Sequence, residues 1–392
     1  MKILSLIFLI ILGGAVDIGA GEKVGATLQN GIYFIEVSGT PYEMGKQHGV
    51  ALKDQIIDAV ADYKASVKKL FGEENAQLIF YWVLNEAKFK QDIEKQIPNV
   101  IDELKGIADG AGVSFDDVLL TNMFEEVYEA APSRFGLKPI NAPRQGGTSF
   151  TVASGKKRFS GQNMEYSGNL QGKQLVIRYQ YSNRQLLTYG FVGQIGGVGV
   201  NSNGLSVFVT TLPQGKKREQ DGLGSTFVRR MLLEQNSVDS AIAKLAATPR
   251  FAGTNYILTD FTKGVIIESD AADAILREQT NEKPFLVGTN HVLHLNDRHD
   301  IPGLYENGQA LRSSISLTIE RMAYAENLIR RAGTDLNTKS LKGLLTVTPV
   351  NIYHPAFMTL ESGIVEYDVD KVYFYVSGGY DPLRKWNEYT FD

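Results

Sequence analysis

The sequence predicts an α+β protein in which two antiparallel sheets stack face to face and helices cover both outer faces, a four-layer αββα sandwich. Two observations carry this prediction. Residues 21–146 show mainly helical periodicity, whereas residues 147–392 read as short strands, then helices, then strands again. Prolines and glycines concentrate between them, in residues 130–144. Since folds of this kind often run past ~200 residues as one unit, we expect both parts to form one domain.

The N-terminus resembles a secretory signal peptide. Met1 and Lys2 precede an apolar run over residues 3–12, and small residues at Gly13 and Ala15 suit a cleavage site. This run is shorter than the ~20 apolar residues that span a bilayer. We therefore expect residues 1–20 to be a cleaved signal peptide, the protein to be secreted or periplasmic, and no membrane span. The alternative is a buried N-terminal strand or helix.

The helical part of the prediction begins after a strand at Ile32–Ser38. From Pro41 onward, apolar residues recur at helical spacing. Ser114 stands where an N-cap is expected, and acidic residues follow it in the first turn, where they suit the helix dipole. Further helices are predicted at residues 73–94, 100–110 and 114–126.

Beyond the proline- and glycine-rich linker, the pattern changes to short β-rich runs separated by turns. The first predicted strands are 148–153, 158–163, 175–181, 185–191, 198–201 and 205–210. Helices at 225–233 and 238–246 follow, and then strands at 255–259, 264–269, 274–277 and 285–289. A long amphipathic helix at 313–331 and a hairpin within 364–376 complete the predicted elements.

Composition excludes several classes of function. The formal net charge is −4 and basic residues form only short clusters, so a nucleic-acid-binding face is not expected. The chain contains no cysteine, which excludes disulfides, metal thiolates and a thiol nucleophile. The histidines lack the spacing of a zinc site, and the glycines around Gly193 are not followed by a helix with the acidic residue of a dinucleotide-binding motif. We therefore expect neither a metal nor another cofactor.

Short motifs occur along the chain in a fixed order. They are residues 38–49 (SGTPYEMGKQHG), 144–150 (RQGGTSF), 160–166 (SGQNMEY), 199–206 (GVNSNGLS), 253–260 (GTNYILTD) and 288–291 (GTNH). Each is weak alone, because glycine-rich turns are common. In this order they resemble the isopenicillin-N acyltransferase family of N-terminal-nucleophile (Ntn) hydrolases.

This resemblance implies an αββα sandwich of the Ntn-hydrolase type, and amide hydrolysis or acyl transfer on a small N-acyl amine or peptide. In the family the chain cuts itself before a cysteine, whose freed amine and thiol then perform the reaction. Residues 21–146 and 147–392 would correspond to the resulting small and large chains. Here Gly147 occupies the cysteine position. The resemblance therefore supports the fold and the pocket more firmly than the activity.

Thr148 is the alternative nucleophile, because threonine serves as the N-terminal nucleophile in other Ntn enzymes. The strand register opposes this role, since neighbouring strand residues project to opposite faces of a sheet. In relatives the matching threonine contributes hydrogen bonds near the site. Ser149 is a further alternative.

The resemblance assigns roles to three more residues. Glu165, with Asn163 before it, falls where relatives carry an acid that orients the nucleophile or its amine. Asn255 matches an asparagine that lines the oxyanion hole, and a side-chain amide can donate a hydrogen bond there. The alternative for Glu165 is an exposed carboxylate on a strand without a catalytic role. The alternative for Asn255 is an asparagine that caps a helix or forms a turn. His291 fits a hydrogen bond to a loop better than a catalytic base.

Three interpretations follow from the sequence. The chain is a secreted amide hydrolase or acyltransferase in which a hydroxyl replaces the thiol. Alternatively, it is a non-catalytic relative that binds an acylated amine or peptide in the inherited pocket. Gly147 would also fit an engineered exchange that traps an uncut precursor. Because Gly147 offers no nucleophile, we expect the activity to be weak or absent.

Overall fold

The computed structural model describes residues 25–130, 134–137, 146–212, 222–271, 273–295, 308–354 and 357–391. The predicted signal peptide and most of the predicted linker lie outside these residues. The expected boundary between residues 146 and 147 stays a prediction. In the described ranges, no helix is both long and apolar enough to cross a membrane.

The helices are α1 (Pro41–Ala51), α2 (Lys53–Phe71), α3 (Glu73–Tyr81), α4 (Phe89–Gln96), α5 (Pro98–Ala111), α6 (Phe115–Asn122), α7 (Ser225–Leu233), α8 (Val238–Ala246), α9 (Gly308–Ala332) and α10 (Thr338–Thr346). The strands are β1 (Thr27–Gln29), β2 (Ile32–Ser38), β3 (Gly146–Ser154), β4 (Lys157–Tyr166), β5 (Gln174–Gln180), β6 (Gln185–Phe191), β7 (Val198–Asn201), β8 (Ser206–Thr211), β9 (Thr254–Thr259), β10 (Gly264–Ser269), β11 (Ala274–Glu278), β12 (Phe285–Gly288), β13 (Tyr353–His354), β14 (Phe357–Asp368), β15 (Lys371–Gly378) and β16 (Asn387–Thr390).

The strands form two sheets. The first has nine strands in the order β1-β2-β5-β6-β7-β8-β9-β10-β11. The second has seven, in the order β12-β3-β4-β14-β15-β16, with β13 paired to β14. Among the described strands, pairing is antiparallel except between β2 and β5, which run parallel. This one parallel pair builds a strand of the N-terminal region into the first sheet.

The two sheets lie face to face. Hydroxyl pairs cross the interface: Ser160 Oγ lies 2.7 Å from Ser206 Oγ, and Thr259 Oγ1 donates to Thr151 Oγ1 over 2.8 Å. Helix α7 packs on the outer face of the nine-stranded sheet, and α9 and α10 pack on the outer face of the seven-stranded sheet. A second, smaller core fills the space beneath α9 and α10. The predicted α+β fold with its four αββα layers is therefore confirmed.

A buried ion pair joins the N-terminal helices to the sandwich. Arg230 on α7 donates from Nη2 to Glu103 Oε2 on α5 over 2.8 Å, and both side chains are almost fully buried. Tyr179 adds a hydrogen bond to Glu103 Oε1 and stacks under the guanidinium. Burial raises the pKa of Glu103, and the charge of Arg230 opposes that rise. Breaking one partner would leave the other as a buried unpaired charge.

The predicted helix over residues 73–94 is wrong in one respect, because it is broken in the middle. Helix α3 ends at Tyr81, a π-helical turn covers Trp82–Glu86, and α4 begins at Phe89. The Ala87 N–H donates to Trp82 O, the wider spacing of a π turn. The buried Trp82 packs edge-on against Phe89 across this turn. The sequence analysis also missed β1, α10, β13 and β16.

Helices α1 and α5 pack backbone against backbone. Four glycines form the contact: Gly45, Gly49, Gly106 and Gly110. A Cβ atom added to Gly49 would lie 2.4 Å from the carbonyl oxygen of Ile107. The helices therefore could not approach this closely with larger residues.

We expect Gly49→Ala to lower the free energy of unfolding by about 1–3 kcal/mol, because backbone rather than a flexible side chain must move. Gly343→Ala is the matched control, since a Cβ on this α10 glycine would meet nothing within 4 Å. Alanine at position 343 should raise stability by about 0.5–1 kcal/mol. Urea unfolding of both variants measures the contrast. Equal effects of the two substitutions would contradict the close packing.

Candidate functional site

The start of strand β3 positions the candidate site. Thr148 pairs with Asn163, and Gly147 pairs with Met164 on β4. Because side chains alternate along a strand, residues 147, 149 and 151 face the nine-stranded sheet, whereas 148, 150 and 152 face α9 and α10. The cross-sheet bond of Thr151 to Thr259 and the packing of Phe150 in the core beneath the helices show this alternation.

Both backbone groups of Gly147 are hydrogen-bonded. Its N–H donates to Asn290 Oδ1 over 2.9 Å, and its carbonyl accepts from Arg321 Nη1 over 2.7 Å. A Cβ atom added here would lie 2.7 Å from Thr210 Cγ2. Thr210 is held in place because its Oγ1 donates to Thr289 O over 3.0 Å. The space that a side chain at position 147 needs is therefore occupied by the methyl group of Thr210.

Thr148 and Ser149 project to opposite faces of β3. Thr148 is fully buried on the α9 side, where its Oγ1 accepts from Arg321 Nη1 over 3.0 Å. Ser149 shares the face of Gly147, and its Oγ lies 3.4 Å from the Gly288 carbonyl. The structure contains the predicted strand register, which turns the Thr148 side chain away from the face of position 147. The role of either hydroxyl as a nucleophile stays a prediction.

Arg321 on α9 connects the surrounding groups, and sequence reasoning missed it. In addition to its two bonds to β3, its Nη2 donates to Asn290 Oδ1 over 2.7 Å, and Nη1 lies 3.7 Å from Glu165 Oε2. Burial lowers the pKa of Arg321, while the charge of Glu165 opposes the shift. One feature of the sequence could have identified Arg321. It lies four residues before Ala325 and eight before Ile329, so a charged residue occupies the apolar, buried face of the predicted helix.

Glu165 and Asn163 lie on the helix-facing side of β4. Both are fully buried. Asn163 Nδ2 donates to the carbonyls of Leu345 and Val350, and its Oδ1 accepts from Ser362. It therefore anchors the loop after α10 and does not contact Gly147 through its side chain.

The carboxyl group of Glu165 packs against Gly146, the residue before Gly147. Its Oε2 would lie 2.6 Å from a Cβ atom at Gly146, and its Oε1 accepts a long hydrogen bond of 3.4 Å from Thr359. Burial raises the pKa of Glu165 to about 7, and the charge of Arg321 opposes this rise. Within the described residues, Oε2 has no hydrogen-bond partner. An exposed strand carboxylate, the structural alternative, is thus not what the structure contains.

Asn255 lies beside Thr210 on the inner face of the nine-stranded sheet. Its Nδ2 donates to Thr210 Oγ1 and to Thr289 O, over 3.1 and 3.0 Å. Its Oδ1 is buried without a hydrogen-bond partner in the part of the chain that the structure describes. In this arrangement the amide fixes Thr210, and a role at an oxyanion stays a prediction.

His291 bonds neighbouring hydroxyl groups. Its Nδ1 lies 3.0 Å from Thr289 Oγ1 and 2.9 Å from Thr318 Oγ1. Burial lowers its pKa. The described ranges contain no group of His, Asp and Glu side chains that could hold a metal ion.

Comparison with known proteins defines the class. Residues 152–360, more than half of the chain, match the acyl-coenzyme A:6-aminopenicillanic acid acyl-transferase family. The protein belongs to this acyl-transferase family, which confirms the resemblance that the motifs indicate.

Individual relatives are distant. The acyl-coenzyme A:6-aminopenicillanic-acid-acyltransferase 40 kDa form of Emericella nidulans is 26% identical over 264 residues, which cover 66% of this chain and 69% of that protein. An Archaeoglobus fulgidus protein is 36% identical over 105 residues, 25% of this chain and only 17% of its own length. Protein dcd1A of Dictyostelium discoideum is 29% identical over 27% of each chain. Penicillin V acylase from Agrobacterium tumefaciens aligns with a TM-score of 0.42 at 12% identity, over 61% of this chain and 85% of that one.

Restoring cysteine at position 147 should require a change at Thr210. We expect Gly147→Cys alone to lower the free energy of unfolding by about 1–3 kcal/mol, because the Thr210 methyl must move. Adding Thr210→Ser removes that methyl and keeps the hydroxyl that bonds Thr289, so the pair should show a favourable coupling of about 1 kcal/mol or more. Urea unfolding of wild type, both single variants and the double variant measures the coupling. Strictly additive effects would show that Thr210 does not fill this space.

Glu165 should make stability depend on pH. Its pKa in the folded protein is raised to about 7, above the ordinary value near 4.3. Folding therefore takes up a proton between these values, and this contribution is full below about pH 4 and lost as pH rises through about 7. Compared with wild type, Glu165→Gln should gain in melting temperature between pH 5 and pH 8.

Glu94→Gln, on the exposed surface of α4, is the control for this measurement. Its melting temperature should stay parallel to that of wild type across the same pH range. A constant difference between wild type and Glu165→Gln would mean that Glu165 is ionised throughout.

Proposed function

We propose that this protein is a secreted recognition protein for N-acylated amines or peptides, that it stays uncut, and that amide hydrolysis or acyl transfer is weak or absent. The observation that carries the proposal is Gly147 with both backbone groups hydrogen-bonded and its side-chain space filled by Thr210. Self-cleavage in an Ntn hydrolase needs a side-chain nucleophile that attacks the preceding carbonyl. Acyl transfer needs the same nucleophile and its freed amine. Glycine has no side chain and therefore provides no nucleophile for either reaction.

The polar groups around Gly147 support recognition of an amide. Arg321 and Asn290 fix the strand end, while Glu165 Oε2 on the helix-facing side and Asn255 Oδ1 between the sheets are buried acceptors without hydrogen-bond partners among the described residues. One ligand N–H group would reach only one of these two acceptors, because they lie on opposite faces of the seven-stranded sheet. Such acceptors cost free energy unless a donor reaches them. The N–H group of an acylated amine or peptide is a donor of this kind. Membership of the acyl-transferase family supports the same ligand class.

A second candidate function is catalysis by a hydroxyl. Arg321 Nη1 lies 3.0 Å from Thr148 Oγ1, and a guanidinium at that distance favours the ionised form of a hydroxyl. Ser149 lies on the same face as Gly147 but two residues further along β3. Either residue would need the chain before it to be cut, so that a free amine could act as the base.

We expect the purified mature protein to remain one chain and to bind N-acyl amides without turnover. Intact mass and N-terminal sequencing measure cleavage, while calorimetry and product analysis on one panel of N-acyl amino acids and peptides separate binding from reaction. A stoichiometric fragment that begins at residue 147, 148 or 149 would overturn the proposal. Thr148→Ala and Ser149→Ala then identify the nucleophile, since only the responsible variant would abolish cleavage. Absence of binding across the panel would also count against the proposed ligand class.

A further inference from the structure

A groove of about 870 Å³ lies at the end of the sandwich opposite Gly147. The β3–β4 turn, the β9–β10 turn, the connection from β11 to β12 and the C-terminal end of α9 form its walls. From Gly147 the strand continues to Ser154, so at ~3.3 Å per residue the groove lies roughly 20–25 Å from the candidate site. Nothing in the proposed function uses it.

Cations dominate the lining of this groove. They are Arg158, Lys263, Lys283 and Arg330, and Glu282 is the acid among the lining residues. We call this feature the basic groove. Its lining also includes side-chain amides and hydroxyls, at Gln279, Asn281, Thr262, Thr280 and Thr334. Most of the polar groups that face it are therefore hydrogen-bond donors or carry positive charge.

The acids that pair with these cations lie outside the lining of the basic groove. Glu326 is shared, at 3.4 Å from Lys283 Nζ and 3.8 Å from Arg330 Nη2. Lys263 pairs with Asp239, which is 77% exposed. The Lys283 and Arg330 side chains are 49% and 63% exposed, so solvent screens their pairs with Glu326 and each pair contributes little. The cationic groups thus remain available to a negatively charged ligand.

Arg158 adds an incompletely compensated charge. Its Nη2 donates to Thr262 O over 2.8 Å and its Nη1 to Gln279 Oε1, both neutral acceptors. In the described part of the chain it forms no ion pair with a carboxylate, and its Nε has no hydrogen-bond partner. Asp260 acts on it only through space, because the oxygens of Asp260 accept from neighbouring groups such as Val238 N–H. Charge-assisted hydrogen bonds make an anion the ligand that would compensate a half-buried guanidinium best.

The basic groove also has an apolar floor. Phe285 lies there, with Lys283 Nζ at 5.9 Å and the Arg330 guanidinium at 5.7 Å from its ring centroid. Val152 and Ile329 lie beside it in the lining. A ligand that fits this floor carries an apolar body next to its charged group.

We propose that the basic groove binds a small organic anion, a phosphate or carboxylate group on an apolar body. Its volume falls within the ~300–1,000 Å³ typical of small-molecule sites. The anionic group would lie among Arg158, Lys283 and Arg330, and the apolar body would cover Phe285. This site is independent of the candidate site at Gly147.

Calorimetry on the full chain tests the proposal with phenyl phosphate, benzoate and inorganic phosphate as probes, at constant ionic strength. We expect saturable binding of phenyl phosphate or benzoate, and at least tenfold weaker binding of inorganic phosphate, which lacks the apolar body. Lys283→Gln combined with Arg330→Gln should weaken the organic anion at least tenfold, and Arg158→Gln should do the same. Lys283 and Arg330 are surface side chains, so the double variant should fold even if Arg158→Gln does not.

Lys95→Gln, an exposed position on α4, is the matched control and should leave affinity unchanged. Absence of saturable binding by both organic anions would overturn the proposal. Equal affinity for inorganic phosphate would overturn the role of the apolar floor. Loss of affinity in Lys95→Gln as large as in the double variant would show a general charge effect instead of a site.

Discussion

Antiparallel pairing of strands β3 and β4 is the constraint on which the candidate site depends. The pairing fixes which face of the sheet each residue projects to, so Gly147 faces Thr210 while Thr148 faces Arg321. A hydroxyl one residue along the strand is therefore on the wrong side of a sheet, not merely a few ångströms away. The hydroxyl of Thr148 therefore projects away from the face that a side chain at position 147 would occupy. From side-chain identity alone, Thr148 would have been the first candidate for a nucleophile.

Arg321 shows how the site is ordered around a glycine at position 147. Its guanidinium bonds the backbone of Gly147, the hydroxyl of Thr148 and the side chain of Asn290. Two of these three contacts do not involve a side chain at position 147 or 148. The planar guanidinium with its fixed donors suits such a junction better than a flexible lysine would. The polar framework around Gly147 therefore does not depend on a side chain at that position.

The same observations show how far the sequence could predict the structure. Most strands and helices with strong local periodicity were predicted correctly, although the helix over residues 73–94 is interrupted by a π-helical turn. The Ser114 N-cap is present, with its Oγ accepting from Asp117 N–H. Thr210 and Arg321 were missed because their importance comes from contacts across the chain. Arg321 and Gly147 are separated by 174 residues, and no local pattern marks that contact. Short elements such as β13 were missed because two residues carry no periodicity.

The contacts between the N-terminal helices and the sandwich do not depend on whether the chain is cut before Gly147. Strand β2 forms part of the nine-stranded sheet through its parallel pairing with β5, and Glu103 on α5 is bonded to Arg230 on α7 in a buried ion pair. Neither contact depends on whether the chain is continuous before Gly147. In a protein cut before residue 147 the same contacts would hold two chains together. A change of side chain at position 147 therefore leaves these contacts between the N-terminal helices and the sandwich in place.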